Sequence, residues 1–127
     1  MSTEMSFQVR DDYLLVVARG EHPTAANIDP LFKSVQDRSR EANRSRILVD
    51  ARSVSKPAAE FDRYLMGKAA AEMLGPPIRT AVVCRAEYIN KFAENTGINR
   101  GALLLICDDE KTALQWLLGA VPGGEPL

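Results

Sequence analysis

The stretch RILVDARSVSKPAAEFDRYLMGKAAAEMLG, residues 46–75, restricts the fold of this chain more than any other. Ile47, Leu48 and Val49 form an unbroken apolar run closed by Asp50, the pattern of a strand covered on both faces rather than half exposed to water. From Pro57 the spacing turns helical. Phe61, Leu65, Ala69 and Met73 recur at every fourth position, while Glu60, Asp62, Arg63 and Lys68 lie mostly off that stripe, so the stripe is expected to face the sheet. Ser55 stands where it would cap the first turn, and Pro57 where a missing N–H costs nothing. Gly75 and Pro76-Pro77 end the helix. A doubly covered strand feeding directly into a helix is one β-loop-α unit, and a run of such units calls for a parallel sheet.

The rest of the chain extends this unit in both directions. Residues 7–10 and 13–19 are extended runs separated by the turn dipeptide Asp11-Asp12, which predicts an antiparallel hairpin with the first strand at the edge. Residues 21–24 form a polar loop containing His22-Pro23. Ile28, Leu31, Phe32, Val35 and Ala42 fit a helical stripe with Asn27 or Asp29 as N-cap, and the alternating charges of residues 33–46 read as its solvated face. Beyond the central unit, residues 80–84 predict a strand. A shorter helical pattern follows, in which Ile89, Phe92 and Ala93 share a face, with residues 95–101 as the loop out of it. Residues 102–107 predict the last strand. Asp108-Asp109 then opens a helix that turns Ala113, Leu114, Leu117 and Leu118 inward, with Trp116 on its flank. The expected order is β-β-α-β-α-β-α-β-α: an α/β domain with a five-stranded, mixed, mostly parallel sheet and right-handed crossovers.

A chain of 127 residues suits one domain, residues 1–127, with the Pro- and Gly-rich residues 121–127 as a flexible tail. Net charge is −1 and no dense basic run occurs, which argues against a nucleic acid or an anionic membrane surface as partner. No apolar stretch approaches the ~20 residues of a membrane span, and the first ten residues lack the pattern of a secretory signal. A cytoplasmic location is the expectation. Cys84 and Cys107 sit inside apolar strand patterns without CxxC or CxH spacing and read as buried reduced thiols.

Chemistry is sparse. His22, the only histidine, lies in a Pro-containing loop without a Ser, Cys or carboxylate companion in recognisable spacing, and is expected on the surface. GxGxxG, GxxxxGK[ST] and GxSxG are absent, so dinucleotide, Walker-type phosphate and esterase readings lose their support. No catalytic, cofactor-binding or metal-binding residue is assigned, and the chain is read as not an enzyme. The candidate ligand or partner rim is Asp50, Arg52, Ser53, Ser55, Arg85, Asp108 and Asp109, near the carboxyl ends of the parallel strands where open α/β sheets bind ligands. The competing reading is that these residues cap helices and pair with one another.

The segment LVDARSV with its following helix, and the ending NRGALLLICDDEKTALQWL, resemble the STAS superfamily, specifically SpoIIAA-like proteins, related in fold to CRAL-TRIO lipid-binding domains. The resemblance implies a regulatory or protein-interaction module. Members of that superfamily act as anti-sigma-factor antagonists, switched by phosphorylation of a serine in an Asp-Ser-Ser-Gly-type segment. With Asp50 and Val54 laid on the family's Asp and Val, that segment falls near Ala58, Ala59 and Glu60, where no hydroxyl stands. Ser53 and Ser55 lie upstream, so the switch is expected to be missing. The relation to CRAL-TRIO domains implies an alternative, a carrier or sensor of a small apolar ligand such as a lipid. Finally, strands apolar on both faces need cover on both, and successive right-handed crossovers place their helices on one side. The other face would be shielded by the helix of residues 28–42, by an apolar ligand or by a second copy of the chain, and a homodimer is the expectation.

Overall fold

The computed structural model describes residues 3–55, 59–89 and 91–119, the side chain of Phe92 excepted. Pro57, Ala58 and the tail from residue 120 onwards lie outside the described residues. The strands are β1 (Thr3–Val9), β2 (Leu14–Gly20), β3 (Arg46–Val54), β4 (Arg79–Val83) and β5 (Leu103–Cys107); the helices are α1 (Ile28–Ala42), α2 (Glu60–Met73), α3 (Phe92–Asn99) and α4 (Glu110–Leu118). They form one five-stranded sheet in the order β1-β2-β3-β4-β5. β1 is antiparallel to β2 and every other pair is parallel, as the element order predicts.

Alternation along the strands divides the side chains between two layers. Leu14, Val16 and Ala18 of β2, Ile47 and Val49 of β3, Thr80 and Val82 of β4, and Leu104 and Ile106 of β5 fall in register on one face. That face is covered by α1, α2 and α3, with Val35 and Leu74 in its core. Leu48, Ala81 and Val83 point to the other face, where they meet Ala113 and Leu117 of α4. The shielding element there is α4, not a displaced α1. β1 turns Glu4, Ser6 and Gln8 outward on that side. The large apolar residues that are exposed, Val9, Phe61, Ile98 and Leu103, belong to four different elements.

Four local expectations need correction. Asp50 does not close β3, which runs on to Val54 because β2 remains beside it: a register shift between Val17 and Arg19 is followed by Arg19↔Ser53 and Gly20↔Val54. Ser55 does not cap α2. The N-cap is Ala59, and Ser55 instead donates its N–H to the Gly20 carbonyl. α2 bears out its expected stripe only in part: Ala69 is buried and Met73 packs on the core, but Phe61 is 65% exposed, and Met66, Gly67, Ala70 and Leu74 line the sheet side. Small residues decide this orientation, since a methyl group on Gly67 would lie 2.6 Å from the Ala93 carbonyl oxygen and 2.8 Å from Thr96 Cβ, so the two helices meet almost backbone to backbone. Residues 95–99, expected as loop, continue α3 to Asn99. Glu94, buried in α3, holds it to the sheet by accepting the N–H of Ile106 and the ammonium of Lys91.

Candidate functional site

Between the sheet and the helical layer lies a cavity of about 200 Å³. Its walls are Val16, Ala18, Val49, Val82, Leu104 and Ile106 from the strands, and Leu31, Phe32, Val35, Met66, Ala70 and Leu74 from α1 and α2. The space exists because small residues stand where large ones would fill it: Ala18, Ala51, Gly67, Ala70 and Ala93 all border it. An engineered apolar cavity of roughly 150 Å³ stays dry and binds benzene. A void of this size and lining is therefore suited to a small apolar molecule and too small for a two-chain lipid.

Six polar or ionisable side chains reach the walls: Thr3, His22, Arg63, Thr80, Cys84 and Tyr88. The Thr3 hydroxyl donates to the Glu21 carbonyl, and the Tyr88 hydroxyl donates to the Ser55 carbonyl at 2.8 Å. His22 Nε2 and the Thr80 hydroxyl are buried without a partner, and Thr80 is 4% exposed. Burial, and after it the charge of Arg63, holds the His22 imidazole below its ordinary pKa, while Asp62 pulls weakly the other way. Burial also pushes the Cys84 thiol up, as does neighbouring Cys107, against an opposing effect of Arg63. His22 follows the carboxyl end of β2, Arg63 lies in the first turn of α2 beyond β3, and Cys84 directly follows β4, so in a parallel arrangement of β2, β3 and β4 the three line the cavity at the carboxyl end of the sheet.

His22 is consequently not the surface-loop residue expected. Its loop follows β2 directly and folds over the carboxyl end of the sheet towards α2, a placement that a polar sequence with proline does not reveal. Arg63 was read as lying off the buried stripe, and Thr80 is hidden inside an apolar strand. The available signal was parity: Thr80, Val82 and Cys84 alternate along β4 with Ala81 and Val83, which face α4.

The rim is a separate place. The Arg52 guanidinium makes two hydrogen bonds to Asp50, both 2.9 Å, and a third of 2.9 Å to Glu110. The bond from Arg52 is the main reason the Asp50 carboxyl lies below its ordinary pKa. Arg85 donates to the Arg52 carbonyl at 3.2 Å and lies over the Tyr88 ring. Asp109 caps α4, accepting the Thr112 N–H at 2.9 Å and its hydroxyl at 2.7 Å. Ser53 and Asp108 are exposed. The structure thus brings Asp50, Arg52 and Arg85 together with Ser55 through Tyr88, and leaves Ser53, Asp108 and Asp109 apart from them. Among the described residues no group of three or more His, Cys, Asp or Glu is placed to hold a metal ion, and no helix is long and apolar enough to cross a membrane.

No protein-family model matches the sequence, and no curated protein matches it. The structure does have counterparts. An anti-sigma factor antagonist from Mycobacterium paratuberculosis superposes with a TM-score of 0.60 at 20% identity, over 91% of this chain and 94% of that one. An uncharacterized protein of the DUF3478 family from Shewanella loihica PV-4, which has a SpoIIAA-like fold, superposes with a TM-score of 0.54 at 15% identity, over the same shares of 91% and 94%. The fold is SpoIIAA-like. The resemblance read from LVDARSV and from the last strand and helix holds at the level of fold. Open α/β sheets bind ligands in the crevice where strand order reverses. The order β1-β2-β3-β4-β5 never reverses, and the cavity lies between the layers.

Proposed function

We propose that this chain is a non-enzymatic regulatory or protein-interaction module of STAS type, acting in the cytoplasm without the phosphoserine switch, and that its state is set by a small apolar ligand held between the sheet and α1 to α3. The observation that carries the reading is the cavity of about 200 Å³ with its nearly continuous apolar wall. Pockets of this kind, apolar with a few convergent polar groups, are the usual form of small-molecule sites. The regulatory half of the reading is supported by the fold shared with an anti-sigma factor antagonist. Absence of the switch is supported by Ala59 and Glu60, exposed at the start of α2 and without hydroxyls. Absence of catalysis is supported by the rim, whose charges are engaged with one another and whose members do not form a nucleophile, base and orienter in contact. A homodimer across the second sheet face is not part of the reading, because α4 packs there against β3, β4 and β5.

The test is direct. Organic extraction of the natively purified protein followed by mass spectrometry should yield a small apolar compound in near-stoichiometric amount, and an apolar fluorophore added to the extracted protein should be displaced by it. A ligand-free extract together with no fluorophore uptake would defeat the proposal.

A further inference from the structure

The two unpartnered polar atoms of the cavity lie far apart along the sheet. Thr80 is level with Ile47 and Leu104, at the amino end of β4. Cys84, at the carboxyl end of the sheet with His22, lies four residues farther along the chain, about 13 Å at the rise of a strand. A buried hydroxyl or imidazole nitrogen without a hydrogen bond costs about 1–3 kcal/mol. Water is a poor remedy at Thr80, because a buried water needs two to four polar partners and the strand neighbours there are Ile47 and Leu104. A ligand group satisfies such an atom at no further cost in buried polarity.

Building on the ligand reading above, we infer that the cavity takes a small single-chain amphiphilic acid, its carboxylate seated at His22 beside Arg63 and a hydrogen-bonding group at its far end seated at Thr80. His22 Nε2 of the neutral ring can donate to a carboxylate oxygen, and the Arg63 guanidinium carries five N–H donors in a fork that suits a carboxylate. Arg63 also supplies the positive charge that makes this end of an otherwise apolar wall favour an anion over a neutral head. Between the two ends the sheet presents apolar side chains, among them Val16, Ala18, Val49, Val82 and Ile106, a surface that fits an unbranched chain or a single ring. The hydroxyl of Thr80 both donates and accepts, so an alcohol or a carbonyl at the far end serves equally.

Calorimetric titration with octanol, octanoate and ω-hydroxyoctanoate separates the two ends. The wild-type protein should bind octanoate about tenfold more tightly than octanol, as a hydrogen bond to a charged group predicts, and ω-hydroxyoctanoate severalfold more tightly still. His22→Leu should reduce the preference for acid over alcohol to about twofold or less, and His22→Gln, which keeps an N–H donor, should restore most of it. Thr80→Val should abolish the gain from the ω-hydroxyl, and Thr80→Ser should keep it, with circular dichroism confirming that each variant is folded. If octanol binds as well as octanoate, or His22→Leu retains the full preference, the inference fails and the ligand reading stands. If none of the three binds at millimolar concentration, the ligand reading falls with it.

Discussion

Replacing Gly67 by Ala sets two opposing effects against each other at one atom. In the middle of a helix the exchange favours folding by about 0.8–1.0 kcal/mol, because glycine loses more backbone freedom on ordering than alanine. At Gly67 the added methyl would stand 2.6 Å from the Ala93 carbonyl oxygen, 2.8 Å from Thr96 Cβ and 3.0 Å from the Gly97 nitrogen. Two of those three neighbours are backbone atoms of α3, so relief requires moving a helix rather than turning a side chain. Overpacking of that kind costs typically about 1–3 kcal/mol, and separating α2 from α3 also loosens Glu94 from the Ile106 N–H. The expected net result is a loss of about 1–2 kcal/mol, or several degrees in Tm for a domain of this size. Gly97→Ala supplies the control. Its methyl would meet Leu104 Cδ2 at 3.1 Å and the Gly67 oxygen at 3.3 Å, and the leucine can yield, so propensity and crowding should nearly cancel. Urea unfolding followed by circular dichroism measures both variants. Stabilisation of Gly67→Ala by about 1 kcal/mol, the value for an unobstructed helix, would refute the close approach of α2 and α3.

The orientation of α2 predicts that Phe61→Ala changes stability by less than about 0.5 kcal/mol, whereas Leu74→Ala, at a site 4% exposed, costs about 2–5 kcal/mol; equal losses in urea unfolding would place the wrong face inward. His22 should titrate with an NMR midpoint below 6.5. In the window below that value the unfolded chain binds more protons than the folded one, so this residue's contribution to stability rises with pH across the window and is lost as pH falls through the folded midpoint; a midpoint at or above 6.5 would contradict the burial. Cys84 should be alkylated more slowly than an unhindered thiol at pH 8, because burial favours its protonated form, and more slowly again when the cavity is filled, an effect that mass spectrometry of modified peptides measures residue by residue.

Element order and strand direction were legible because continuous apolar runs and helical spacing are both long-range patterns, robust to the identity of single residues. The face of α2 was not. Its large apolar residues, Phe61, Leu65 and Met73, suggest one stripe, but contact is made through Gly67 and Ala70, whose small size lets the helix approach. Hydrophobic spacing weights residues by size, while close packing selects those that stay out of the way. The cavity was illegible for a related reason, since it arises from what Ala18, Ala51 and Ala93 fail to fill once four elements converge. The sequence puts the rim residues near the carboxyl ends of strands, whereas β3 runs on past Asp50 and Arg52 to Val54. Only the contacts of Arg52 with Asp50 and Glu110 show that they use up much of one another's hydrogen-bonding capacity.

The uninterrupted strand order has a kinetic consequence. Each strand lies beside the one made immediately before it, so every pairing closes a loop no longer than a single connecting segment, and the entropy of closure grows only with the logarithm of that length. A sheet of this kind can lengthen by one strand at a time as the chain leaves the ribosome, with no earlier strand waiting for a distant partner. Each parallel pairing waits only for the helical segment between its two strands, and the step left for last is the seating of α4 against Leu48, Ala81 and Val83.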